Sequence, residues 1–247
     1  MTDAGIPGVT MDAFFRRVLP RQGFKIAAAL MPASKPDVNG VWQPIPGAVT
    51  FAHRAFDNEV DLADYLSDRD GKTQERWYSC DPATGARTYE DKALLPDTWF
   101  AQGGFVAAKT PDLKRPGKLE HGRRGTNVGW MRSFYGDLDV GSGPAKYADQ
   151  RAALTALIEW CGRTGTPIPP VITSSGNGIH CWWPQPYDIP VADWQAVADR
   201  LKAKMLDTGL LIDPSVTADP TRLLRAPGTR NHKDPANPKP VRLLRWA

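Results

Sequence analysis

Cysteine is scarce in this chain. There are three in 247 residues, Cys80, Cys161 and Cys181. An odd number at wide spacing excludes a disulfide framework, forms no C-x-x-C zinc module, and suits a reducing cytoplasm. No apolar run approaches the length of a membrane span. The opening Met1-Thr-Asp-Ala-Gly5 lacks a basic-then-apolar signal, so neither membrane insertion nor secretion is expected. Neither sign of charge dominates. A net charge of +4 and a pI near 9.0 lean only mildly towards polyanionic partners. Against these absences stand 23 prolines and 22 glycines, which break the chain into many short elements. An apolar content of 41% is ordinary for a globular protein and sufficient for one large domain or two small lobes.

The first 108 residues predict a small α/β lobe. Thr10 is placed to cap a short helix with Met11, Phe14, Phe15 and Val18 on its apolar face, ended by Pro20. Strands are expected at 24–30, 48–56, 76–80 and 104–108. A helix capped by Asp57 carries Val60, Leu62, Ala63 and Leu66 on its buried side. No catalytic constellation is found in this lobe. Residues 109–130 predict a basic loop: Lys109, Lys114, Arg115, Lys118, Arg123 and Arg124 outweigh Asp112 and Glu120. Such a block is either a solvated loop or an arm that grips phosphates.

From 131 to 247 the order changes to β-α-β-β-α-β, the split arrangement of RRM-like and ferredoxin-like sheets. The fold class is therefore α/β (α+β). The helices are expected at 146–161, with Ala153, Leu154, Leu157, Ile158 and Cys161 at helical spacing, and at 193–206, with Trp194, Val197, Leu201 and Met205 buried. The segment 222–233 reads as basic and turn-forming, and 241–246 as a closing strand.

Chemistry concentrates in this second part. In Asp137-Leu-Asp139 the two-residue period of a strand puts both carboxylates on one face near its carboxyl end. Such a pair repels itself unless a cation intervenes, and all-oxygen donors suit Mg²⁺ or Mn²⁺. An equally short Asp68-Arg-Asp70 sits in a turn-like context and reads as loop. The hairpin turn Ser174-Ser-Gly-Asn-Gly-Ile-His180 carries Gly176 and Gly178, which permit close backbone approach to a ligand. With the Ser175 hydroxyl and the His180 ring they form a candidate phosphate cradle. Asp213 follows an apolar run, and Asp219 is a nearby rival for the same role.

Together these segments resemble the three motifs of the archaeo-eukaryotic primase superfamily, in order. They are Asp137-Leu-Asp139, then Ser-Gly-Asn-Gly-Ile-His180, then Ile-Asp213 with Thr-Arg-Leu-Leu-Arg-Ala-Pro-Gly-Thr-Arg-Asn-His-Lys233. The similarity is to primase or primase-polymerase domains of phages, plasmids and integrated elements and covers roughly 132–233. It implies that Asp137, Asp139 and Asp213 hold two divalent metals, Mg²⁺ or Mn²⁺. Ser175, Gly176, Gly178 and His180 would meet the nucleotide triphosphate, and Arg225 and Lys233 phosphates or template. It further implies single-stranded DNA and dNTP or NTP as substrates, a helicase domain or protein as partner, a cytoplasmic setting, and a chain that is one domain of a longer protein. The competing expectation is a catalytically inactive, RRM-like single-stranded DNA-binding replication initiator, with Trp182, Trp183 or Tyr135 stacking on bases. The carboxylate triad counts against it, because a pure binder has no need of one and without metal it would repel a polyanion; these aromatics, alternating with His180, read as core.

Overall fold

The computed structural model describes residues 6–39, 42–80, 84–93, 95–114 and 116–247. The chain is a mixture of α-helices and antiparallel β-sheets. In chain order it runs α1 (Met11–Val18), β1 (Lys25–Pro36), β2 (Trp42–Phe56), α2 (Glu59–Arg69), β3 (Gln74–Cys80), β4 (Arg87–Ala93), β5 (Thr98–Ala101), β6 (Gly104–Phe105), β7 (Lys109–Pro111) and β8 (Leu119–His121). Then follow β9 (Val128–Leu138), α3 (Gln150–Thr164), β10 (Val171–Ser174), β11 (Ile179–Pro190), α4 (Val191–Asp207), β12 (Leu223–Leu224), β13 (Arg230–Asn231), β14 (Lys239–Pro240) and β15 (Arg242–Trp246). Among the described residues no helix is long and apolar enough to cross a membrane.

Local chemistry explains most helix boundaries. The Thr10 hydroxyl accepts from the Ala13 amide and starts α1, and its apolar stripe Met11, Phe14, Phe15 and Val18 is buried. Elsewhere the caps differ from expectation. Asn58, not Asp57, caps α2, accepting from the Asp61 amide at 2.9 Å. α3 begins at Gln150 under the Asp149 cap, because Pro144 and the turn around Lys146 hold the preceding residues out of the helix. Val60, Ile158 and Val197 point to solvent, at 42%, 44% and 39% exposure. Each sits at the margin of its helical stripe, where periodicity alone cannot separate buried from flanking positions.

Two sheets carry the molecule. One is ordered β12-β5-β1-β2 and the other β15-β10-β11-β9-β6. In the second, β9-α3-β10 is a split unit with β11 paired between its two strands. The last strand departs from a ferredoxin-like order. β15 pairs with the outer edge of β10 rather than with β9, whose other edge is taken by β6. The approach of the chain explains this. Residues 231 and 239 lie against the 175–178 turn, where Asn231 Nδ2 donates to the Ser175 carbonyl at 2.8 Å. The few residues that remain therefore reach only the β10 edge. The strands β4, β5 and β12 were not expected. β12 comes from the stretch read as turn-forming, yet it extends the sheet built by the first half of the chain.

One face of the β9-β11-β10 sheet, with Leu138, Cys181 and Ile172, is buried with Leu157 and Cys161 of α3 and Met205 of α4. The other face, with Tyr135, Trp182 and Val171, shares a core with Phe14, Phe15 and Phe100. Residues Ile179 to Trp183 are all buried for this reason, as in any strand covered on both faces. The first 108 residues and the last 117 thus close over one common core.

Residues 109–130, read from sequence as a basic loop, contain the β7-β8 hairpin and a turn of 3₁₀ helix. Arg115 lies outside the described residues. The hairpin is clamped to β2. The His53 and His121 rings lie 4.0 Å apart, and Arg123 Nε donates to His53 Nε2 at 2.7 Å. Burial, then His121, then Arg123 push the His53 pKa down to about 3. Arg123, Glu120 and Arg124 are the charged groups around His121. Because the unfolded imidazole titrates near 6.5, the unfolded state binds more protons below that pH. This contribution to stability is full above about 6.5 and lost as pH falls towards 3, on the order of a few kcal/mol. Thermal unfolding followed across that window should show the decline, and His53→Gln should flatten it.

Candidate active site

Three segments remote in sequence meet at one end of the β9-β11 pair. Asp137, next to last in β9, lies directly across from His180 in β11. His180 Nε2 stands 3.6 Å from Asp137 Oδ1. Asp139 follows β9 at once. The amide of Asp213 donates to the Asp137 carbonyl at 2.9 Å, which pins the third carboxylate beside the first. Burial, then Asp139, then Asp213 push the Asp137 carboxyl up to about 7, against the pull of Arg222 and Arg225. The three carboxylates therefore act on one another through a partly desolvated space.

Asp219, the rival ligand, is turned to other work. Its carboxylate accepts from the amide and hydroxyl of Thr221, and its carbonyl accepts from the Tyr135 hydroxyl. It stands next to the Tyr135 ring rather than among the charges that act on Asp137.

Ser175, Gly176 and Gly178 form the turn immediately behind His180. Ser175 Oγ accepts from the Gly178 amide at 3.0 Å and keeps its own proton to donate. Gly178 is needed because a Cβ there would meet the Leu138 carbonyl oxygen at 2.6 Å, and Gly176, at φ +89°, because a Cβ would meet Asn231 Cβ at 2.7 Å. Both glycines thus bring the turn against neighbouring backbone and side chain. His180 is neutral: burial, then Arg225, then Arg222 hold its pKa near 3. Its Nδ1 is buried without a hydrogen-bond partner, and so is the Thr173 hydroxyl across the β10-β11 pair.

Positive charge comes from β12 and its flanks. Arg222 reaches Asp213 at 3.9 Å. Arg225 pairs with Asp97 at 2.9 Å and lies over the Trp99 ring. Lys146 meets Asp139 at 3.1 Å. Arg222, Lys146 and Asp97 were not singled out from sequence, since each acquires its place only through chain crossings. Lys233 is exposed and is not among the charges that act on Asp137; it lines a shallow pocket of about 340 Å³ with Val140, Asn177, Asn231 and Lys239. The second Asp-x-Asp, Asp68 and Asp70, has separate partners: Asp68 pairs with Lys72 and Asp70 accepts from the Arg230 amide.

The donor chemistry fits a hard divalent cation. All three groups are carboxylates, and the raised Asp137 pKa marks repulsion that a cation would relieve. As they stand, no three His, Cys, Asp or Glu side chains among the described residues are already grouped as a metal site. Asp139 is engaged by Lys146 and Asp213 Oδ1 by Ser215, so a cation would exchange these contacts for its own.

No protein-family model matches the sequence, and no curated protein matches it. Among solved structures, the chain is similar to the AEP domain of the cyanophage S-2L primase-polymerase, PrimPol. The TM-score is 0.43 at 14% identity, over 76% of this chain and 89% of that one.

Proposed function

We propose that the chain is a DNA-templated nucleotidyltransferase: a primase or primase-polymerase catalytic domain acting on single-stranded DNA in the replication of a phage, plasmid or integrated element. The observation that supports this is the convergence of Asp137, His180 and Asp213 at one sheet end, with the charges of Arg222 and Arg225 acting on Asp137 and His180. Asp137, Asp139 and Asp213 would hold two Mg²⁺ or Mn²⁺ ions. When bound, such ions supply an activated 3′-oxygen and a neutralised pyrophosphate leaving group.

The chain's own residues would do the rest. The buried neutral His180 and the Ser175 hydroxyl are hydrogen-bond donors suited to triphosphate oxygens. Arg222 and Arg225 add positive charge where the leaving pyrophosphate gains negative charge, and Lys233 is a more distant phosphate or template contact. Trp182, Tyr135 and Trp183 are buried at 0%, 2% and 9% exposure, which removes the stacking surface that a non-catalytic RRM-like binder would need. A helicase domain or protein is the partner that would supply unwound template.

The test is extension of a primed single-stranded template with dNTPs or NTPs, and synthesis without primer, in Mg²⁺ and in Mn²⁺. Asp213→Ala is expected to abolish product. Asp219→Ala should retain most of it while losing about 1 kcal/mol of stability from the turn it caps. Binding of DNA without synthesis under either metal would reassign the chain to the non-catalytic initiator class. Loss of product in Asp219→Ala alone would move the third ligand.

A further inference from the structure

A row of rings crosses the outer face of the β12-β5-β1-β2 sheet. The register Leu30↔Phe51, Ala28↔His53 and Ala28↔Trp99 puts Phe51, His53 and Trp99 on one face. Ala27 and Phe100 occupy the other, which joins the core. Successive centroids are close: Trp99 to Phe51 at 5.5 Å, Phe51 to His53 at 6.0 Å, and His53 to His121 at 4.0 Å. Ala28 beneath them is too small to fill the space the rings span. Phe51 is 41% exposed and Val49, two residues before it on the same face, 54%. Phe51 and Val49 together, rather than one isolated side chain, form the exposed apolar part of this face.

One arginine stands at Trp99 and another at His53. The Arg225 guanidinium lies 4.8 Å over Trp99, and Arg123 is bonded to His53. Both arginines tie the row to the carboxylates. Arg225 acts on His180 and Asp137. Arg123 Nη1 donates to the Thr221 carbonyl, next to the Arg222 that reaches Asp213. The clamped hairpin adds the exposed Lys109 and Lys118.

Resting on the proposed function, we infer that this face is the track for the unpaired strand, with Phe51 as a stacking platform for a base and Arg123 and Arg225 beside its phosphates. Flat rings flanked by cations are what a sequence-tolerant single-strand site requires, because every base offers a π-face and every linkage a charge. A partner protein would not need cations flanking a run of rings.

The experiment is fluorescence anisotropy of a labelled oligothymidylate against the full chain in EDTA, so that binding is read without synthesis. Phe51→Ala is expected to weaken binding about five- to a hundredfold. Phe51→Tyr, which keeps the ring, should remain near wild type, and thermal melts of both variants check the fold. Affinity of Phe51→Ala equal to wild type overturns the inference, as does a wild type that does not bind. So does a dimer, seen by sedimentation, that Phe51→Ala dissolves with DNA affinity intact. Extension assays on the same proteins separate the two claims. Synthesis by wild type with unaltered binding by Phe51→Ala leaves the enzyme standing and removes the track. Weakened binding without synthesis by wild type does the reverse.

Discussion

Asp137→Asn is expected to cut templated nucleotide addition by about a hundredfold or more while stabilising the metal-free protein above pH 7. The two effects share one cause. Asp137 is crowded by Asp139 and Asp213 in a largely buried setting, and its pKa is raised to about 7, against about 3.9 for an unfolded aspartate. A raised folded pKa means that the folded state holds the proton more tightly. The associated stability is full below about pH 4 and is lost as pH rises through 7, on the order of a few kcal/mol.

An asparagine carries no charge, so the variant should not lose stability across that range. Calorimetry of both proteins from pH 4 to pH 8 in EDTA would show the difference. Addition of Mg²⁺ or Mn²⁺ should then raise the wild-type melting temperature at pH 8 by mass action and leave the variant little changed. A variant that unfolds more readily than wild type at pH 8 without metal would contradict the repulsion argument. A variant that still synthesises would contradict the site.

The largest effect on folding is expected from Trp182→Ala, about 3–5 kcal/mol. Trp182 is fully buried. Its ring meets Phe14 edge to face at 5.4 Å and His180 at 5.7 Å, and its Nε1 donates to Gln102 Oε1 at 2.8 Å. Removing it opens a cavity where the two halves of the molecule meet and leaves the Gln102 carbonyl without its donor. That amide already has a buried nitrogen unpaired. Urea unfolding at unchanged slope would measure the loss as a shift in midpoint. Phe14→Ala should fall in the same range, because Phe14 contacts Phe15, Phe100 and Trp182 together. A loss below about 1 kcal/mol for Trp182→Ala, joined to a large fall in DNA affinity, would return this ring to the stacking role that its burial argues against.

Several parts of the fold were legible because a strong local rule governs them. α1 follows from its cap and a four-residue apolar stripe, and the β10-β11 hairpin from a glycine-rich turn between apolar runs. The period of a strand reaches Asp137 but not its partner, because β9 ends at Leu138 and Asp139 falls one residue past it. Where two rules compete at short range, the boundaries moved. Asn58 and Asp149 displaced the expected helix starts, and Val60, Ile158 and Val197 turned out to flank their stripes.

The chain alone thus determined its mixed α and β character, the candidate carboxylates and the turn that carries Ser175 and His180. These properties depend on neighbours within a few residues. Tertiary structure decided everything that depends on chain crossings. It seated β15 beside β10 and sent β12 back to the first sheet with Arg222 and Arg225. It also turned Asp219 to the amide and hydroxyl of Thr221. It set Asp213 beside Asp137 through one backbone hydrogen bond to the Asp137 carbonyl, across 76 positions of sequence. It aligned Trp99, Phe51, His53 and His121 from three separate strands. No local propensity encodes such contacts, because their free energy comes from burying one shared core that the segments build only together.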